Sequence, residues 1–414
     1  DPMASRYDNT VTVTNAKGEV TKIHYNKDGT LAVVNPDATK GTGKWAMKAD
    51  KLCITPDAGP MAGKEQCSTF AAGKKVGDTW EQTLADGSKA KIAVEFLDDR
   101  CNAEEGISVI RRIYGTEAIV AIGPTCSNVA ESLFGILQKK VDDKGDSGLP
   151  MPVFTDVAIK AGLARISEWA FRNVPSEITM YSSLFYWLKS KHPEAKTVYG
   201  GVEEDFAHSR ASWYTVMKER AQANGYTVVG ESKWLLNDAN FATQVREMKK
   251  ANADILSLAA HPFTTCGLLK EMKRQGYKPK VLVGLTSTST SETMQGCPKD
   301  VEGMIIPTSF APVNKEAKFA ADATAKKKGA ADLHSMAAWE NMFILKQVIE
   351  SEKISGDKSQ VQADRRKIRD GLAKLKTTQG LLGVTKRTDD READKPYLFV
   401  HAKGGNWVVL HNPL

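Results

Sequence analysis

The chain has 414 residues, 57 basic and 50 acidic, for a formal net charge of +7, and its length asks for two or three domains. Hydrophobic residues make up 41% and charged residues 26%, which excludes a disordered tail and a membrane bundle; no apolar run approaches the ~20 residues that span a bilayer. The positive charge is mild and scattered, densest at Lys326-Lys327-Lys328, so no nucleic-acid partner is expected: the basic stripe and stacking aromatics of such a protein are missing.

Residues 1–6 read as a tail. Residues 7–91 read as a small antiparallel β segment, with strands at Thr10–Thr14, Val20–Tyr25, 31–34, 44–47, 52–55, 65–70, 79–84 and 89–93. Asn15-Ala16-Lys17-Gly18, Asn26-Lys27-Asp28-Gly29 and Ala85-Asp86-Gly87-Ser88 carry turn chemistry. The glycine- and lysine-containing stretches 41–44 and 59–64 lack the full phosphate-loop pattern and read as loops.

From residue 92 the rhythm becomes strand, helix, strand, helix. Residues 92–97 form an apolar strand, and Ile107, Ile110, Ile113 and Tyr114 share a helical face. A strand is expected over 117–122, a helix over 127–140 and a strand over 151–155. Ser176 suits a helix N-cap, with Ile178, Tyr181, Phe185 and Leu188 as the apolar stripe behind it. Strands at 197–200, 226–229, 254–259 and 281–284 alternate with helices marked by Trp213, Val216 and Met217, by Phe241, Val245 and Met248 capped by Asp238, and by Leu268, Leu269 and Met272. The first of these helices ends at Asn224-Gly225. Residues 397–400 and 407–410 read as a C-terminal hairpin. The alternation predicts the α/β class: two Rossmann-like lobes with parallel sheets and a cleft between them, behind the all-β segment. Lobe one takes 92–175, lobe two takes 176–310, and 311–414 returns to lobe one and ends in the hairpin.

Six cysteines fall as Cys53 and Cys67, Cys101 and Cys126, Cys266 and Cys297, each pair within a short stretch and none at metal-ligand spacing. Three local disulfides are the natural reading, with six reduced core cysteines as the alternative. Disulfides imply an oxidising compartment and a mature exported protein.

The chain lacks a dinucleotide fingerprint, a complete phosphate loop, HExxH and a nucleophile elbow. Asp98 and Asp99 are adjacent on an expected strand, point to opposite faces and do not converge. No catalytic residue, cofactor or metal is expected. Ser127, at a helix start, is placed either to help bind an anion or to cap its own helix.

Residues 91–412 resemble the type I periplasmic solute-binding proteins, closest to the leucine/isoleucine/valine-binding branch that serves ABC importers. The residues that carry the resemblance are Phe96-Leu97-Asp98-Asp99-Arg100-Cys101-Asn102 and Ile122-Gly123-Pro124-Thr125-Cys126-Ser127-Asn128, then Gly225, His261-Pro262 and Trp339-Glu340-Asn341. The resemblance implies a Cys101–Cys126 disulfide and a non-catalytic, periplasmic protein. Such a protein closes two lobes on a small-molecule ligand and presents it to an inner-membrane permease. It places Thr125, Ser127, Asn128, Thr155 and Asp156 at the cleft from lobe one. Phe206, His261 and Thr286 would face them from lobe two, with His334 at an aromatic position of the family.

Two departures stand out. Thr286 falls where the branched-chain amino-acid binders carry the acid that meets the ligand ammonium, so an amine-free ligand, carboxylate, aromatic or apolar, is expected. Glu203, Glu204 and Asp205 are the residues that would restore an amine reading. Second, no strand and helix with a glycine-rich ligand loop precedes Ile92. Either lobe one is rebuilt around the β segment, or the cleft is unusually open. The β segment itself reads as structural cover or as a docking module. The leading reading is a periplasmic solute-binding protein. The alternatives are a periplasmic lipid or hydrophobic-molecule carrier on the same fold, and a sensor or secreted enzyme on a similar scaffold.

Overall fold

The computed structural model describes residues 3, 10–14, 20–35, 37, 39–48, 51–59, 62–70, 82–83, 89–90 and 97–413. The chain divides into two units, Asp1–Phe96 and Leu97–Leu414.

Turn chemistry shapes the first unit. The Asp28 carboxylate accepts from the Thr30 amide at 2.9 Å and Gly29 takes φ +83°, so the chain reverses between two strands. Strands β1 (Thr10–Thr14), β2 (Val20–Tyr25), β3 (Thr30–Val34), β4 (Lys40–Lys48), β5 (Lys51–Pro56) and β6 (Gln66–Thr69) pair in chain order, each antiparallel to the last. β7 (Gln82–Thr83) and β8 (Lys89–Ala90) pair separately. Ile23, Tyr25, Leu31 and Leu52 form the buried face, and Trp45 meets Tyr25 edge-on. Cys53 and Cys67, directly opposite on β5 and β6, are disulfide-bonded. The expected turns at 15–18 and 85–88 and all but the last residue of the expected strand 92–97 lie outside the described residues.

The second unit holds two α/β lobes. Lobe one runs through α1 (Ala103–Tyr114), β9 (Ala121–Ile122), α2 (Ser127–Gly135), β10 (Val153–Thr155) and β11 (Ala170–Arg172), with a parallel sheet ordered β11-β10-β9. Successive β10 side chains point to opposite faces. Val153 packs with Ile110 and Phe134 of α1 and α2, while Phe154 packs with Ile344, Leu345 and Ile368 of later helices.

Lobe two follows with α3 (Glu177–Lys191), β12 (Thr197–Glu203), α4 (Ala207–Ser212), α5 (Lys218–Ala223), β13 (Thr227–Trp234), α6 (Ala242–Ala251), β14 (Ile255–Ala259), α7 (Pro262–Arg274), β15 (Val281–Val283), α8 (Ser291–Gly296) and β16 (Ile305–Thr308). Next come α9 (Lys315–Lys328), α10 (Leu333–Ser351), α11 (Val361–Lys374) and the small antiparallel sheet of β17 (Thr377–Gly380), β18 (Gly383–Arg387) and β19 (Ala393–Asp394). The hairpin β20 (Leu398–Lys403) and β21 (Asn406–His411) joins the lobe-two sheet, ordered β13-β12-β14-β15-β16-β20-β21, with β20 antiparallel to β16. Leu256 and Leu258 face α6 and α7; Ile255 and Ala259 face α3 and the α4–α5 run. Burial on both faces explains why β14 reads as a continuous apolar stretch.

Several local expectations are corrected. Helix α2 stops at Gly135, and Leu137 bridges to Leu149 beyond it. Only Ala121–Ile122 of the expected strand 117–122 pairs. Ile178 is exposed, because the buried stripe of α3 runs through Glu177, Tyr181, Leu184, Phe185 and Leu188. Asp238 does not cap α6: its carboxylate accepts from the Leu235 amide at 2.8 Å, and the helix begins at Ala242. Between α4 and α5 the segment Trp213–Met217 widens into a π-turn. Trp213 fills the space over Gly200, where any Cβ would fall about 2.1 Å from the indole.

Candidate functional site

Two further disulfides tie neighbouring segments of the second unit. Cys101–Cys126 ties the turn before α1 to the start of α2, and Cys266–Cys297 ties α7 to the residue after α8. On lobe one, the Asn102 side chain accepts from the Glu104 and Glu105 amides and caps α1. The Asn128 amide donates to the Cys101 carbonyl at 2.8 Å, so the start of α2 is locked to the same turn. Cys126, not Ser127, holds the N-cap position of α2. Ser127 is buried and its hydroxyl accepts from the Lys160 amide at 3.2 Å. The Thr155 hydroxyl donates to the Pro124 carbonyl at 2.6 Å, and Thr125 is exposed. Asp156 is buried with one carboxylate oxygen unpartnered. Burial pushes its carboxyl up to about 6, against the backbone amides of Asp156 and Val157 and the charge of Lys395. The Thr155–Pro124 hydrogen bond joins the two lobe-one segments, and the hydroxyls of Ser127 and Thr155 and the amide nitrogen of Asn128 are engaged by the backbone, while the Asn128 side-chain oxygen is buried without a partner.

Lobe two is arranged differently. The C-terminal ends of parallel strands carry Glu203 at the end of β12, His261 after β14 and Thr286 after β15, the edge where open α/β sheets hold ligands. Glu203 is fully buried. It accepts from the Ser209 hydroxyl at 2.9 Å, the His261 amide at 3.0 Å and the Thr264 hydroxyl, and its Oε2 lies 2.5 Å from His261 Nδ1. Burial opposes its charge, but the hydrogen bonds and charge of His261 and the Thr264 hydroxyl outweigh it and hold the carboxyl below the usual range. Glu177, in the first turn of α3, is also buried. It accepts from the Ser212 hydroxyl at 2.6 Å and the Thr286 hydroxyl at 3.4 Å, and lies 3.0 Å from His208 Nε2.

The two carboxylate–imidazole pairs adjoin. The rings of His208 and His261 stand 5.7 Å apart, and Phe206 packs edge-on against His261 at 4.2 Å. His334 stands in the first turn of α10. Burial holds it below the ordinary histidine value; Asp332 counters this, while His261 and His208 lie near enough to depress it further. Helix α2 of lobe one lies against α4 of lobe two, so the lobes meet beside this cluster. A separate groove of about 250 Å³ runs over lobe two, lined by Phe241, Phe263, Lys270 and Glu292 among others.

The structure thus gathers Phe206, His261 and Thr286, while no contact joins His334 to them among the described residues. Glu177, His208, Ser209 and Ser212 join them without having been singled out from the sequence. Of the acidic run, Glu203 turns inward, Glu204 accepts from Tyr214, and Asp205 accepts from the Leu236 amide at the surface. Two expectations lose their ground. The amine-free ligand rested on Thr286 standing alone where an acid is wanted, but Glu177 lies directly behind it. The hydrophobic carrier required an apolar floor, but carboxylates, imidazoles and hydroxyls line this one.

The sequence profile described as "Periplasmic binding protein" matches residues 53–406. Among similar solved structures is a leucine-binding protein from Thermotoga maritima (16% identity, 78% of this chain and 88% of that one, TM-score 0.66). Another is a branched-chain amino acid transporter substrate-binding protein from Streptococcus pneumoniae in complex with isoleucine (17%, 79% and 88%, TM-score 0.65). A third is an extracellular ligand-binding receptor from Rhodopseudomonas palustris (19%, 79% and 91%, TM-score 0.66). At these identities the likeness is one of fold, and the profile match over most of the chain supplies the rest: this chain belongs to the periplasmic binding protein family, whose members are substrate-binding proteins and not enzymes.

Proposed function

We propose that this chain is a periplasmic solute-binding receptor that closes its two lobes on a small organic ligand bearing an ammonium group and delivers it to an ABC importer in the membrane. One observation carries the reading. Two buried carboxylates, Glu177 in the first turn of α3 and Glu203 at the end of β12, meet the neighbouring rings of His208 and His261, and the ion pairs they make among the described residues are with these histidines alone. Buried carboxylates whose close ion-pair partners are histidines, cations that can give up their proton, favour a ligand that brings an ammonium charge. Phe206, half-buried beside His261, offers an apolar wall for the rest of the molecule. The leucine- and isoleucine-binding proteins of similar fold take ligands of this kind.

The test is a thermal-shift panel of amino acids, each paired with the same molecule lacking its amino group. Stabilisation by amino members only is expected. Equal or greater stabilisation by the deaminated partners would overturn the ammonium reading, and no response to any small solute would overturn the receptor reading.

A further inference from the structure

His208 and His261 each meet a carboxylate through one ring nitrogen. Nε2 of His208 lies 3.0 Å from Glu177, and Nδ1 of His261 lies 2.5 Å from Glu203. A neutral imidazole with its one proton on that nitrogen keeps the same hydrogen bond. The second proton, on the other ring nitrogen, sets the charge and not the hydrogen bond. With both protons, each ring balances the charge of a buried carboxylate. An ammonium group arriving beside the rings is drawn by the carboxylates and repelled by an imidazolium, so its binding drives the second proton off. The two rings stand 5.7 Å apart, so their own positive charges also oppose one another.

Few other groups near the pair change charge around neutral pH. Burial opposes the charge of Glu203, but its hydrogen bonds from His261 and Thr264 keep it ionised. Burial and the charge of Glu177 hold the Tyr181 proton in place on α3. On α10, burial holds His334 below the ordinary histidine value, and hydrogen bonds from Ser335 and Ser291 offset the burial of Asp332. On α2, which packs against α4, Glu131 is ion-paired with Lys160; Arg210, on α4 itself, is exposed. The response therefore falls to the two imidazoles.

We propose that ligand capture here is a cation exchange: the ligand's ammonium takes over the positive charge that protonated His208 and His261 hold in the empty receptor, and one imidazole proton leaves to solvent. This rests on the ammonium reading given above. The carboxylates keep their charge and their imidazole hydrogen bonds throughout; only the cation changes. Because the empty receptor holds more protons than the loaded one, affinity rises with pH and acid favours release. The pair also sets specificity. A ligand without a cation either leaves the rings protonated or strips their charge and leaves a buried carboxylate unbalanced.

Calorimetric titration of the full-length protein with the standard L-amino acid that stabilises it most tests this. Titrations at each pH are run in cacodylate, MES and bis-Tris, whose different heats of ionisation reveal the protons released. Between pH 5.5 and 7, up to about one proton should leave per amino acid bound, and Kd should tighten by up to about tenfold per pH unit. His208→Gln and His261→Asn keep a hydrogen-bond donor for the carboxylate but cannot carry the charge. Each should lower the proton count, and the double variant should abolish it. His192→Gln, at the far end of α3, should keep the parental count. Binding by the unmutated protein without proton release, binding with proton uptake, or a count unmoved in the double variant would overturn the exchange. The two readings fail differently. A protein that binds amino acids at a pH-independent Kd loses only the exchange, whereas one that binds no amino acid at any pH loses the ammonium ligand and the exchange with it.

Discussion

Asp156→Asn should make this protein more stable, and more so as the pH rises. Asp156 directly follows the lobe-one strand β10 and has a buried carboxyl, one oxygen of which has no partner. Burial raises its pKa from 3.8 to about 6; Lys395 lowers it only in part, being ion-paired to Glu340. The folded chain therefore binds this proton more tightly than the unfolded chain. Its contribution to stability is fully present below pH ~4 and is lost as the pH rises through ~6. A shift of this size corresponds to about 3 kcal/mol. Asparagine keeps the shape and cannot ionise. Urea unfolding followed by tryptophan fluorescence should show little difference between the proteins at pH 4. At pH 8 the variant midpoint should lie higher by about 1 M. A gap that does not change with pH, or a variant weaker than the parent at pH 8, would refute the reasoning.

Three other outcomes follow from the same packing. Lys395→Met leaves Glu340 as a buried charge without its cation and should cost about 3–5 kcal/mol; adding Glu340→Gln should recover much of that, as read by urea midpoints. Gly200→Ala drives a methyl group into the Trp213 ring and should cost about 1–3 kcal/mol, visible as a lowered melting temperature and altered tryptophan fluorescence. Replacing Cys101 and Cys126 together with serine opens a loop of 25 residues and should cost about 3 kcal/mol by thermal unfolding.

Much of the architecture was legible because the β–α alternation of a parallel sheet writes itself into the order of apolar stretches, and because each cysteine pair lay within one local segment. The β5–β6 disulfide and the hairpin β20–β21 are of this kind: turn residues and short-range pairing determine them. The site was legible only where it falls at strand ends. His261 and Thr286 follow β14 and β15 directly, so counting strands locates them. Glu177 was missed because the stripe of α3 was set through Ile178. Shifted by one residue, the run Glu177, Tyr181, Leu184 and Leu188 has helical spacing, and it places an acid on the buried face. That conflict between residue type and position is the signal that could have found it. His208 left no such trace. Its partner Glu177 is 31 residues away, and their meeting depends on α3 and α4 packing together. Ser127 and Thr155 read as ligand contacts from the sequence because their backbone partners, Lys160 and Pro124, are supplied by the fold of lobe one.

The most direct test of the account is a crystal structure of the protein with the amino acid that stabilises it most. The ligand is expected between the lobes, with its ammonium nitrogen ~3 Å from a carboxylate oxygen of Glu177 or Glu203 and its body against Phe206. A ligand seated in the lobe-two groove beside Phe263, or bound in the cleft with its nitrogen turned away from both carboxylates, would contradict it.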